Sequence, residues 1–127
     1  MFRAGEESNR DRMELSAVLV LGSNKNRELI EQLLDIGFAP VVRETMQAAL
    51  SALRRESFAA ILVDRDRMSV DPLEFILNVR DIDEQTPVMV VGQSPDEQNV
   101  QMVQAQPRAL ILTRSEAVCK LAKGLEQ

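Results

Sequence analysis

The sequence predicts an α/β domain with a doubly wound, five-stranded parallel sheet and five helices, and three observations carry that prediction. Short β-branched runs recur along the chain and are apolar throughout instead of alternating, as strands covered on both faces are. Between them lie segments whose apolar residues recur at helical spacing. The two kinds of segment alternate, the order that right-handed crossovers turn into a parallel sheet with helices on both faces.

Taken in order, the first run is Ala17-Val18-Leu19-Val20-Leu21, ending in Gly22-Ser23-Asn24. A helix is expected over 26–36, with Leu29, Ile30, Leu33 and Leu34 on one stripe and Gly37 as its stop. Residues 39–42 form a second strand, placed at an edge because Pro40 lacks a donor. Over 45–55 the helical stripe returns through Met46, Ala49, Leu50 and Leu53. The third strand, 58–63, ends abruptly at Asp64. Asp71-Pro72-Leu73-Glu74 opens the next helix: Asp71 caps it, Pro72 suits the first helical position, and Glu74 is placed to close a capping box. The buried stripe of that helix is Phe75, Ile76 and Val79. Residues 87–91 give a fourth strand, stopped by Gly92. Ser94-Pro95-Asp96-Glu97 repeats the capping pattern before a short polar helix holding Val100 and Val103. A fifth strand covers 109–112. Ser115 starts the last helix, with Val118, Leu121, Ala122 and Leu125 inward and Cys119 on the same apolar side as an inert, buried thiol.

Composition narrows the function classes. A chain of 127 residues with 45% hydrophobic content is long enough for one domain with a real core. We expect a solvated arm over 1–14 and the domain over 15–127. The formal net charge of −5 repels phosphate backbones and anionic lipids, arguing against nucleic-acid and membrane partners. No apolar run approaches the ~20 residues needed to span a bilayer, and residues 1–14 lack the apolar stretch of a signal peptide. The single cysteine rules out an intramolecular disulfide and fits a cytoplasmic compartment. With no histidine, the chain has no histidine base, metal ligand or phosphohistidine. With no tryptophan or tyrosine, it lacks their aromatic faces for stacking bases.

In doubly wound sheets ligands sit at the carboxyl ends of the strands. The segments to inspect are therefore Gly22-Ser23-Asn24, Asp64-Arg65-Asp66 and Gly92-Gln93-Ser94. The stretch Phe58-Ala59-Ala60-Ile61-Leu62-Val63-Asp64, with Asp71-Pro72-Leu73-Glu74 seven residues on, resembles the middle of a response-regulator receiver domain of two-component signalling. Thr86-Pro87-Val88-Met89-Val90-Val91 is similar to that family's fourth strand. The resemblance runs from Ala17 to about Leu125 and implies a flavodoxin-like strand order of 2-1-3-4-5, with Asp64 as the phospho-acceptor position.

Departures from the family's pattern decide the functional expectation. The acidic pair that holds a divalent cation falls on Gly22 and Ser23. Magnesium takes carboxylate oxygens, so Asp64 alone supports at most weak Mg²⁺ binding, with Asn24 and Asp66 as ill-placed helpers. The family's hydroxyl residue after the fourth strand falls on Gly92, its lysine after the fifth on Thr113 or Arg114, and its switch aromatic on Leu110 or Ile111. Phosphoryl transfer rests on neutralising charge around the equatorial oxygens, and most of that is missing. The sequence thus reads as a degenerate, non-enzymatic receiver without a cofactor. Asp64 is expected to be structural, capped by backbone amides or paired with Arg65 or Arg114. The resemblance implies a partner face on the fourth helix, fifth strand and fifth helix, with Gln98, Gln101, Gln104, Arg108, Arg114 and Lys120 as candidates for binding a protein or a second copy. Two alternatives stand beside this: phosphorylation of Asp64, and a small-ligand pocket opened by Gly22 and Gly92, which otherwise are turn glycines at positive φ.

Overall fold

A computed structural model describes residues 16–23, 25–65, 71–92 and 97–123, with the side chains of 97–100 outside that description. The expected arm over 1–14, Asn24, Asp66, and the Ser94-Pro95-Asp96 part of the second capping pattern lie outside the described residues. The elements are β1 (Ser16–Leu21), α1 (Arg27–Asp35), β2 (Phe38–Arg43), α2 (Met46–Arg55), β3 (Ala60–Asp64), α3 (Pro72–Ile82), β4 (Val88–Val91), α4 (Glu97–Gln104), β5 (Ala109–Leu112) and α5 (Arg114–Lys123).

All strand pairs are parallel, in the order β2-β1-β3-β4-β5. Pro40 lies in the edge strand β2, opposite Val18, as its missing donor requires. The period of two along each strand splits the core into two layers. Leu19, Leu21, Ile61, Val63, Val88 and Val90 face α2, α3 and Val103 of α4. Val18, Val20, Leu62, Met89 and Val91 face α1 and α5 through Leu29, Leu33, Ala117 and Leu121. Phe75, Ile76 and Val79, the predicted stripe of α3, are fully buried.

Four local expectations are corrected. Leu34 is 49% exposed, because the buried stripe of α1 is Leu29 and Leu33 alone. Asp71 caps α3 by accepting from Leu73 N, but exposed Glu74 makes no return bond, so the box is half formed. The last helix begins one residue early, at Arg114. Thr113 Oγ1 accepts from Glu116 N at 3.1 Å and Glu116 Oε1 accepts from Thr113 N at 2.9 Å, a complete capping box. Cys119 is exposed: with Ala117 and Leu121 buried on α5, a residue midway between them points outward.

Candidate functional site

Asp64 closes β3 at the centre of the sheet, opposite Val91, where the carboxyl ends of β1, β3 and β4 converge. Such a position collects the turns that follow the strands, and in this chain it is sealed. Asp64 is only 1% exposed. Its carboxylate Oδ2 accepts a 2.6 Å hydrogen bond from Asn26 Nδ2. Asn26, itself 5% exposed, caps α1 with its other amide atom, Oδ1, which accepts from Leu29 N at 3.4 Å. One side chain therefore starts a helix and holds the carboxylate. The β1–α1 turn is fixed by Asn26 N donating to Ser23 O at 3.0 Å and Lys25 N donating to Ser23 Oγ at 3.0 Å.

Among the described residues Asp64 accepts from no backbone amide and from no arginine, where the sequence led us to expect one or the other. Arg114 instead reaches toward α1 and pairs with Glu28 at 3.6 Å. Asn26 was the residue that sequence reasoning missed in this role. Asp64 Oδ1 is buried without a hydrogen-bond partner among the described residues.

Gly22 does not adopt the expected positive φ; Gly37 does, at 95°. A Cβ added at Gly22 would stand 3.1 Å from the Asp64 Cβ and 3.7 Å from its Oδ2. A side chain at Gly22 would therefore crowd Asp64, which would have to give by a few tenths of an ångström. Gly92 is buried and donates its N–H to Leu112 O at 3.2 Å, which extends the ladder between β4 and β5. Ser23 is half-buried, and its hydroxyl is used by Lys25 N. Thr113 serves the α5 cap.

The receiver resemblance implies a Mg²⁺ site, and the described residues do not fit one. A hard dication wants several oxygens; this end of the sheet offers a single buried carboxylate, one oxygen of which already accepts from an amide N–H. Among the described residues no three His, Cys, Asp or Glu side chains are grouped as a metal site would need.

The partner-face candidates separate. Gln104, Arg108 and Lys120 line one groove with Pro87, Met89, Gln106, Ala109 and Leu110, a cavity of about 330 Å³ at the amino-terminal ends of β4 and β5. Gln101 is exposed on α4 outside that lining. Arg114 belongs to a different cleft with Glu28 and Gln32 of α1. The Gln98 side chain lies outside the described residues.

These features define a doubly wound domain of the receiver fold whose central aspartate is internally bonded. No family model matches the chain, and no curated protein does. Solved structures match it closely in shape. The chemotaxis protein CheY4 of Vibrio cholerae superposes with a TM-score of 0.71 at 20% identity, covering 89% of this chain and 98% of that one. The receiver domain of the sensor histidine kinase PA1611 of Pseudomonas aeruginosa PAO1, which holds a magnesium ion in its active-site cleft, gives 0.71 at 18%, covering 90% and 100%. HP1043, an orphan response regulator of H. pylori, gives 0.70 at 15%, covering 85% and 94%. At such identities, what these structures share with the chain is the fold.

Proposed function

We propose that the chain is a signalling module of the receiver type that works by binding a protein partner without accepting a phosphoryl group. The observation that carries this reading is the sealed Asp64: buried, bonded through Oδ2 to Asn26, and flanked by Gly22 and Ser23 where a cation would need carboxylates. An aspartate nucleophile must meet an incoming phosphoryl group in line and have the developing charge neutralised. Asp64 lacks the exposure, and among the described residues it lacks the acidic neighbours, that would recruit a metal. The arrangement supports a structural carboxylate, and it moves function to the surface, where Gln104, Arg108 and Lys120 share a groove. Among the described residues no helix is long and apolar enough to cross a membrane.

One observation favours phosphorylation instead: among the described residues Oδ1 of Asp64 has no hydrogen-bond partner, which leaves it as the oxygen to take a phosphoryl group. Incubation with acetyl phosphate and Mg²⁺ followed by intact mass separates the two. The expected result is an unmodified mass. A phosphate adduct that disappears in Asp64→Asn would overturn the proposal.

A further inference from the structure

We infer that the groove beside β5 is a docking site for an extended, acidic segment of a partner protein that carries one apolar side chain. This deepens the reading of the α4–β5–α5 face as a partner surface and rests on it. The floor of the groove is apolar: Met89 and Ala109 are buried there, and Pro87 and Leu110 are half-buried. Its rim is basic and amide-bearing, formed by Arg108, Lys120, Gln104 and Gln106, with no acid in the lining. The strip continues along α5 into a second hollow of about 290 Å³ lined by Glu116, Cys119, Lys120 and Lys123.

Charge sets this surface apart from the rest of the molecule. The chain carries 20 acidic and 15 basic residues, yet the described lining of the two hollows holds three cations and one acid. That acid is Glu116, whose Oε1 is already used by Thr113 N in the helix cap. Lys120 and Lys123 have neither an ion pair nor a hydrogen bond among the described residues. Arg108 spends its Nε on Gln85 O, which fixes its stem at the rim. A local positive strip on an acidic molecule steers acidic partners to one place and repels them elsewhere.

Extended conformation follows from the edge. β5 ends the sheet on this side. Val88 N donates to Arg108 O and Gly92 N to Leu112 O, so by the alternation of a strand the backbone groups of Ala109 and Ile111 face away from β4. Ala109 is buried, so a chain laid along that edge meets the backbone groups of half-buried Ile111, with the groove taking an alternate side chain. The groove lies at the opposite end of the strands from Asp64, so docking needs no change at the aspartate.

The test uses the full chain, uniformly ¹⁵N-labelled, and three fluorescein-labelled nonapeptides with a central leucine flanked by glutamate and serine, by glutamine and serine, or by lysine and serine. The glutamate peptide should shift the amides of Arg108, Leu110 and Lys120 and bind more weakly as salt rises. Lys120→Glu combined with Lys123→Glu should weaken it about tenfold or more and let the lysine peptide bind instead. Should that variant not fold, the glutamine pair Lys120→Gln and Lys123→Gln should give a smaller loss in the same direction. Equal affinity for the glutamate and lysine peptides, or undiminished affinity in the variants, would overturn the inference. If the glutamine peptide alone shifts the groove amides, the face still docks partners and the acidic preference is wrong. If no peptide shifts them, the groove is not a docking site. Neither outcome bears on the phosphate-adduct measurement, which tests the function separately.

Discussion

At the scale of single residues, Asn26 is the hinge of the candidate site. Its Oδ1 satisfies one of the orphan N–H groups of α1, and its Nδ2 satisfies a buried carboxylate. Replacing it removes both at once. A cap lost to alanine costs about 1 kcal/mol, and stranding a buried charged group costs a few more. We therefore expect Asn26→Ala to destabilise the fold by about 2–4 kcal/mol in urea unfolding. The cost should shrink in an Asp64→Leu background, where no carboxylate is left to strand, giving a coupling of about 1–3 kcal/mol in a double-mutant cycle. Additive effects would mean that the bond between them contributes nothing. Much of this site was legible in the sequence. Asp64 stands out as an acid ending an apolar run, and Gly22 and Ser23 show that carboxylates are absent beside it. The role of Asn26 was hidden because an asparagine ahead of a helical stripe is fully explained as a cap. Its second bond crosses 38 positions and exists only once β1 and β3 pair.

At the scale of elements, the turns on the far side of the sheet are pinned by one side chain. Arg80, near the end of α3, donates to four carbonyls: Asp83 O at 3.1 Å, Thr86 O at 2.9 Å, Pro107 O at 2.9 Å and Arg108 O at 3.1 Å. It thereby ties α3 to the starts of β4 and β5. Burial lowers the pKa of its guanidinium; Asp83 opposes that shift and Arg108 adds to it. Asp83 organises the same turn from the acid side. The hydroxyl of Thr86 donating to its carboxylate holds that group below its ordinary value; desolvation opposes this, while the N–H groups of Gln85 and Thr86 and the charge of Arg80 support it. A depressed carboxyl contributes stability that is present above its unfolded pKa, about 3.9, and is lost as pH falls through the lower folded value. Asp83→Asn should thus cost about 1 kcal/mol at neutral pH, a figure kept small by solvent screening of a partly exposed group. The gap to wild type should close in strong acid. Urea midpoints at the two pH values check it, and a constant gap would refute the linkage. Element boundaries show the same mixture of legible and hidden. The Thr113-Arg114-Ser115-Glu116 capping signature was present in the sequence, but Ser115 is also a good cap residue and masked it. The placement of Cys119 failed because the expected inward stripe of Val118, Leu121, Ala122 and Leu125 is turned from the real one, in which Ala117 and Leu121 are buried and Ala122 is exposed.

At the scale of the whole molecule, the fold was the most legible feature, because it depends on the many apolar positions of five strands and not on any single contact. The two core layers follow directly from period two in the strands and the helical stripes between them. Surface function is less legible, since the groove at Lys120 joins residues from β4, α4, β5 and α5 that no linear pattern groups. The same separation of core from chemistry makes a global prediction about metal. A ligand that binds the native state at 100 times its dissociation constant adds roughly 2.7 kcal/mol, which in a domain of this size moves Tm by several degrees. A receiver fold with a working acidic cluster should show that shift in excess Mg²⁺. In this chain the Asp64 carboxylate at the end of β3 is buried and bonded through Oδ2 to Asn26, which leaves a metal one buried oxygen, Oδ1, among the described atoms of that residue. Millimolar Mg²⁺ is therefore expected to move Tm by less than about 1 °C, matched by Ca²⁺ and by an equal ionic strength of NaCl. A Mg²⁺-specific rise of several degrees, abolished by Asp64→Asn, would show that the carboxylate opens to solvent and that the sealed geometry is not the working state of the domain.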